Sequence, residues 1–154
     1  MSKYHDALKF FQNFIYQMID IGGENLPKSI ATSLGAKLGK LLRDRGFSDV
    51  DSSLKQIYTV LNAKTKIKTL DDKTLDITLK YPKKFCPIGG KFNPDKAELI
   101  QKTICIPYTA AILSSFHSGY KYDYEIVECI LNSNNKHCRY KLIKEPKDLN
   151  DTSK

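Results

Sequence analysis

The chain has 154 residues, of which 41% are hydrophobic and 27% charged, and it carries a formal net charge of +8 at pH 7. That length suits one domain with its own core, and no apolar run approaches the ~20 residues of a membrane-spanning helix. The excess charge is lysine. Arginine occurs only at Arg43, Arg45 and Arg139, which argues against specific nucleic-acid recognition and leaves a solvated surface, or a basic face for an anionic membrane or acidic partner.

Positions 4–21 hold Leu8, Phe11, Phe14, Ile15, Met18 and Ile19 at steps of three and four, which predicts an amphipathic helix ended by Gly22 and Gly23. Its broad stripe is either all core or in part a dimer seam formed by Leu8, Phe11, Phe14, Ile15 and Met18. A second helix is predicted over 26–45, with Asn25 as cap and Pro27 in the first turn. Ala31, Gly35, Ala36 and Gly39 lie along it and suit close helix-on-helix packing. Asp49, Asp51 or Ser52 can cap a third helix at about 51–63.

The hydrophobic period then changes from 3.6 to 2. Residues 74–81 alternate as a half-buried strand, with 64–70 as partner across the Asp71-Asp72-Lys73 turn. Lys64, Lys66 and Lys68 share one face of that partner, and the spacing predicts an exposed one. Pro87, Gly89, Gly90 and Pro94 make 83–94 a loop. A fourth helix is predicted over 96–116, capped by Asp95 and apolar nearly all round, with Pro107 kinking it or restarting it one residue earlier. Strands at 120–131 and 138–143 follow, joined by a turn at Ser133-Asn134-Asn135-Lys136. The order is three helices, a hairpin, a loop, a buried helix and a second hairpin. This is an α+β domain with helices packed on a four-stranded antiparallel sheet, spanning residues 1–145, with a polar disordered tail at 146–154.

All four cysteines, Cys86, Cys105, Cys129 and Cys138, fall within this second half, separated by 18, 23 and 8 residues. Three readings are open: a metal site, two disulfides, or four unrelated core residues. The first residues, Met1-Ser2-Lys3-Tyr4-His5-Asp6, lack a secretory layout, so a cytoplasmic location is expected and disulfides are disfavoured. Thiolates from a loop, a helix and two adjoining strands can converge on one tetrahedral zinc, with Glu125 or Glu128 in reserve. Buried, inert thiols are the competing reading.

Catalysis finds little support. His5, His117 and His137 have no neighbours that name a nucleophile or an acid–base partner, and no phosphate loop, dinucleotide fingerprint or metalloprotease motif is present. An apolar helix on a sheet can instead leave a cavity, lined here by Ile104, Tyr108, Ile112, Phe116 and Tyr124. Ordinary core packing accounts for the same residues.

Three runs, IGGENLPKSIATSLGAKLGKLL, ICIPYTAAILSSFHSGY and YEIVECILNSNNKHCRYKL, resemble the 4-vinyl reductase domain superfamily, which includes hydrocarbon-binding sensor domains and is related in fold to TRAPP vesicle-tethering subunits. The resemblance implies a structural zinc at Cys105, Glu125 or Glu128, Cys129 and Cys138, with Cys86 as a further thiolate, and homodimers formed through the N-terminal helices. The expectation is a non-enzymatic, zinc-stabilised homodimer that binds or senses a small apolar ligand. A TRAPP-like assembly module acting through protein or membrane-surface contacts is the alternative, and a tetrapyrrole-type reductase the third.

Overall fold

A helical layer gives way to a sheet at residue 64, where the hydrophobic period changes. The computed structural model describes residues 3–117 and 119–148, with only the backbone of Tyr4 and His5. Helix α1 (Lys3–Gly22) is ended by Gly23, whose φ of +73° suits a residue without Cβ. Helix α2 (Asn25–Asp44) starts at Asn25 itself; the capping position is Glu24, which makes no side-chain cap bond. Helix α3 (Val50–Thr59) is capped as the sequence suggests. Asp49 Oδ1 accepts from the Ser52 N–H at 2.7 Å, which satisfies one of the orphan donors of a first turn.

The predicted fourth helix is three pieces. Helix α4 (Pro94–Ile100) begins behind Asn93 rather than Asp95. A π-helical turn (Gln101–Cys105) follows, and α5 (Ile106–Phe116) restarts one residue before Pro107. In that first turn the missing proline N–H leaves no bond unmade.

Strands β1 (Lys64–Thr69), β2 (Thr74–Lys80), β3 (Tyr120–Glu128) and β4 (His137–Pro146) form one antiparallel sheet in the order β1-β2-β4-β3. Asp71 Oδ1 organises the first turn by accepting from the N–H groups of Lys73 and Thr74, both at 2.8 Å. The second hairpin departs from its expected bounds. β3 stops at Glu128, and a single turn of helix, α6 (Ile130–Ser133), is closed by Asn134 in the left-handed region at φ 54°. β4 runs past Ile143, since Lys144 and Glu145 pair with Tyr122 and Lys121 of β3. Residues 149–154 of the expected polar tail lie outside the described residues.

Register sorts the side chains by face. The row Ile67, Ile77, Tyr140, Ile126 and the row Thr69, Leu75, Leu142, Tyr124 point at the helices. The row Lys68, Asp76, Lys141, Glu125 lies on the other face. There Arg139 clasps Asp76 with two bonds of 2.8 and 2.6 Å, and Lys141 pairs with Glu125 at 3.2 Å. β1 is an edge strand, and Lys64, Lys66 and Lys68 on it are exposed as expected.

Helix α2 lies along α5, and its small residues explain how. A Cβ built on Gly35 would stand 2.4 Å from the Tyr108 carbonyl oxygen, and one on Gly39 2.7 Å from that of Ile112. The two backbones touch where a larger residue would hold them apart. The core is Leu54, Ile57, Ile77, Ile100, Ile112, Leu113, Ile130, Leu131 and Leu142, between α3, α5 and the inner sheet face. Among the described residues no helix is long and apolar enough to cross a membrane.

Candidate functional site

Where α5 and the π-turn pass over the inner sheet face, the core leaves a cavity of about 80 Å³. Its walls are drawn from five places: Tyr58 of α3, the Cys86–Ile88 loop, Cys105 to Thr109, Tyr124 and Ile126 of β3, and Cys138 and Tyr140 of β4. Leu79, Ile100 and Leu131 add aliphatic surface, while Gln101, Glu128 and Arg139 bring polar groups to its edge.

The four cysteines, spread over about a third of the sequence, all line this one space, and all four are free thiols. Each arrives by a different local device. Cys86 and Gly90 exchange backbone bonds of 2.8 and 2.9 Å in a tight loop, with the Gly89 N–H donating to Cys86 Sγ at 3.2 Å. Two residues of α1 pin that loop from outside. Gln12 Nε2 donates to the carbonyl oxygens of Cys86 and Pro87, and Tyr16 Oη donates to that of Gly89 at 2.8 Å. Cys105 closes the π-turn. Cys129 caps α6, and Cys138, on the neighbouring strand, accepts from the Ile130 N–H at 3.4 Å.

Their electrostatics differ. Burial pushes the Cys86 and Cys105 thiols up, the latter well above the usual cysteine value. Cys129 and Cys138 titrate as a pair joined by a thiol–thiol hydrogen bond. The first proton leaves below the ordinary cysteine range and the second is held well above it. The Cys138 thiol is the main support of a charge on Cys129, with Gln101 and the backbone N–H groups of Leu131 and Asn132 behind it.

As donors, four thiols suit zinc. Their placement is a separate matter: among the described residues, no three His, Cys, Asp or Glu side chains form a group that could hold a metal ion. The two reserve carboxylates part company. A register shift between Ile126 and Glu128 turns β3, as a bulge does. Glu128 shares the inward-facing alternation of Tyr124 and Ile126 and reaches the cavity edge, where it binds Asn135 Nδ2 and lies 2.7 Å from His137 Nε2. Glu125 stays on the outer face with Lys141.

Of the expected ligand contacts, Tyr108 and Tyr124 line the cavity and Ile104, Ile112 and Phe116 do not. Ile112 is fully buried core, and Phe116 packs against the core further along α5. The π-turn widens the helix at Ile104, so an α-helical extrapolation from Tyr108 back to Ile104 misplaces it. Sequence reasoning missed Tyr58 and Tyr140. Their hydroxyls share a 2.8 Å bond, and Thr109 Oγ1 lies 3.3 Å from Tyr58 Oη. Burial lifts Tyr58 to about 12 and Tyr140 well above its usual value. The inward alternation of Tyr140 and Leu142 along β4 was the available signal.

The seam expected on α1 divides. Ile15 packs toward the core, and Leu8 and Met18 are half-buried. Phe11 and Phe14 are 59% and 58% exposed and continue an outer face with Phe10 and Ile21.

No family model matches the chain, and no curated protein does. Among solved structures it is similar to a trafficking protein particle complex subunit 3 from Naegleria fowleri, covalently bound to palmitic acid. Identity there is 12%, coverage 94% of this chain and 98% of that one, and the TM-score 0.51. It is also similar to an Fe(II) unliganded H-NOX protein from K. algicida, at 8% identity, covering 97% of this chain and 76% of that one, with a TM-score of 0.50. Likenesses at such identities establish a shared fold.

Proposed function

We propose that this chain is a non-enzymatic binding domain for a small apolar molecule, received in the cavity between α5 and the sheet. The observation that carries this is the cavity itself, an apolar space with a few polar tips, walled by the residues that join the helical layer to the sheet. Its volume of about 80 Å³ lies below the ~150 Å³ of an engineered cavity that takes up benzene. As it stands it receives a short apolar group, and a longer ligand extends toward the polar edge at Glu128 and Arg139. The palmitic acid of the Naegleria subunit supports an acyl chain as one ligand type. A full sixteen-carbon chain exceeds the present space, so it would bind only with movement of the walls.

Zinc enters this reading through donor chemistry alone. Cys86, Cys105, Cys129 and Cys138 are the residues that would hold it, and it would supply a cross-link between loop, helix and both strands. Native mass spectrometry and elemental analysis of protein purified from its own host test both parts. A co-purifying apolar molecule is the expected result for the cavity. Less than about a tenth of an equivalent of metal would remove zinc from the proposal.

One observation favours a second reading. The outer face of α1 carries Phe10, Phe11, Phe14 and Ile21, and α2 adds Leu26, Ile30 and Leu34, all exposed. Exposed large apolar side chains concentrated on two successive helices suit an interaction surface. It supports an assembly module that pairs with a second copy through α1, and a protein partner in the same mass spectra in place of a small molecule would favour it.

A further inference from the structure

We propose that Tyr124 is the polar anchor of the cavity, donating its hydroxyl to a single neutral acceptor on an otherwise apolar ligand, and that the site rejects carboxylates. This rests on the ligand-binding reading above and names the ligand's chemistry.

Among the described residues, four buried side-chain groups have no hydrogen-bond partner: Thr65 Oγ1, Tyr122 Oη, Tyr124 Oη and Ser133 Oγ. Of these only Tyr124 lines the cavity. Three other hydroxyls of the lining are taken, since Tyr58 and Tyr140 bond each other and Thr109 stands beside Tyr58. An unpaired hydroxyl in so apolar a place is costly, and a partner brought by a ligand recovers that cost. The ring is already fixed. Tyr124 sits on the inner face of β3 opposite Leu142, and its ring packs against Tyr140 at 5.9 Å between centroids. A donor held by packing before the ligand arrives loses little freedom on binding.

The preference for a neutral group follows from the charges. Arg139 is the only basic residue of the lining among the described residues, and its Nε and Nη2 are engaged with Asp76, a residue of the opposite sheet face. The other charged side chain at the edge is Glu128, an acid. A carboxylate drawn inside would be desolvated without a counter-charge. A ketone or ester oxygen needs only the one hydroxyl.

The test uses the whole 154-residue chain and three probes of matched length: 2-pentanone, pentane and pentanoate. Binding is followed by methyl NMR shifts of the lining residues Leu79 and Ile106, with Tyr124→Phe as the variant. The expected result is that 2-pentanone binds, that Tyr124→Phe weakens it about tenfold, and that pentane binding is unchanged. A second readout does not depend on ligand. Removing a hydroxyl that has no partner leaves the thermal midpoint of Tyr124→Phe unchanged or raised, whereas Tyr140→Phe, which breaks the Tyr58 bond, lowers it. A lowered midpoint for Tyr124→Phe overturns the anchor, as does equal loss of ketone and alkane, or pentanoate binding as tightly as the ketone. In the last two cases the cavity still binds a probe, and the midpoint is read without one. If no probe binds the unmutated chain, the ligand-binding reading fails and the anchor falls with it.

Discussion

Gln12 Nε2 on α1 lies 3.1 Å from the carbonyl oxygen of Cys86 and 3.0 Å from that of Pro87. A buried amide therefore ties the first helix to the loop that walls the cavity. Gln12→Leu keeps the bulk but takes the amide donor from the Pro87 carbonyl, while the Cys86 carbonyl keeps the Gly90 N–H at 2.9 Å. The expected cost is about 1–3 kcal/mol, measured by urea unfolding. Faster modification of Cys86 by a thiol reagent should accompany it, because the loop loses its outer support. An unchanged midpoint with unchanged Cys86 reactivity would show that the loop holds itself.

The contact between α2 and α5 allows no side chain at its centre. Gly35→Val places a branched side chain where even a Cβ stands 2.4 Å from backbone, and a carbonyl cannot rotate away as a flexible side chain would. The expected loss is at the upper end of the ~1–3 kcal/mol of overpacked sites. Thermal unfolding measures it, and a variant as stable as the parent would mean that the helices slide freely.

Acid sensitivity should pass in part through Asp76. The Arg139 bonds hold its carboxyl below the ordinary aspartate value, so the charged form favours the folded state. That contribution is complete above the unfolded value of about 3.9 and is lost as pH falls through the lower folded value. Asp76→Asn is therefore expected to be less stable at pH 7, with a smaller further loss between pH 5 and pH 2 than the parent. Parallel pH profiles of the two proteins would exclude Asp76 from the acid transition.

Much of the architecture was legible because periodicity records burial. The change from period 3.6 to 2 gave the helix-to-sheet order, and small residues on α2 signalled close packing against another helix, which the structure shows to be α5. What escaped was set by tertiary pairing. Ile130 and Leu131 continue an apolar strand pattern locally, yet they form α6, because β3 ends at Glu128, one pair beyond its register shift. Lys144 and Glu145 lie beyond the predicted strand and Pro146 opens the expected tail, yet all three are held by partners on β3, which fixes backbone irrespective of side-chain polarity. The π-turn has no residue signature apart from Pro107 beyond it. It displaces the cavity lining from the positions that helical spacing selects. The gathering of four thiols was inferred from the cysteines themselves, and the tyrosine pair beside them became visible only with the register.

The proposed dimer depends on the outer face of α1. Phe11→Asp or Phe14→Asp puts a charge among apolar side chains that make no core contact, so the fold should persist while association is lost. Light scattering at micromolar concentration is expected to show a dimer for the parent and a monomer for either variant. A monomeric parent would assign that face to a different partner.

The edge strand β1 bears on how copies of this protein meet in a crowded solution. A strand with open backbone donors and acceptors is a template on which another chain can extend the sheet. Two molecules approaching along β1 would bring Lys64, Lys66 and Lys68 of one against the same three of the other, and like charges set directly opposite each other destabilise such pairing. The lysines thus make that edge self-avoiding, a brake on fibrous growth that costs the fold nothing. Because the repulsion is screened by salt, the brake weakens as ionic strength rises.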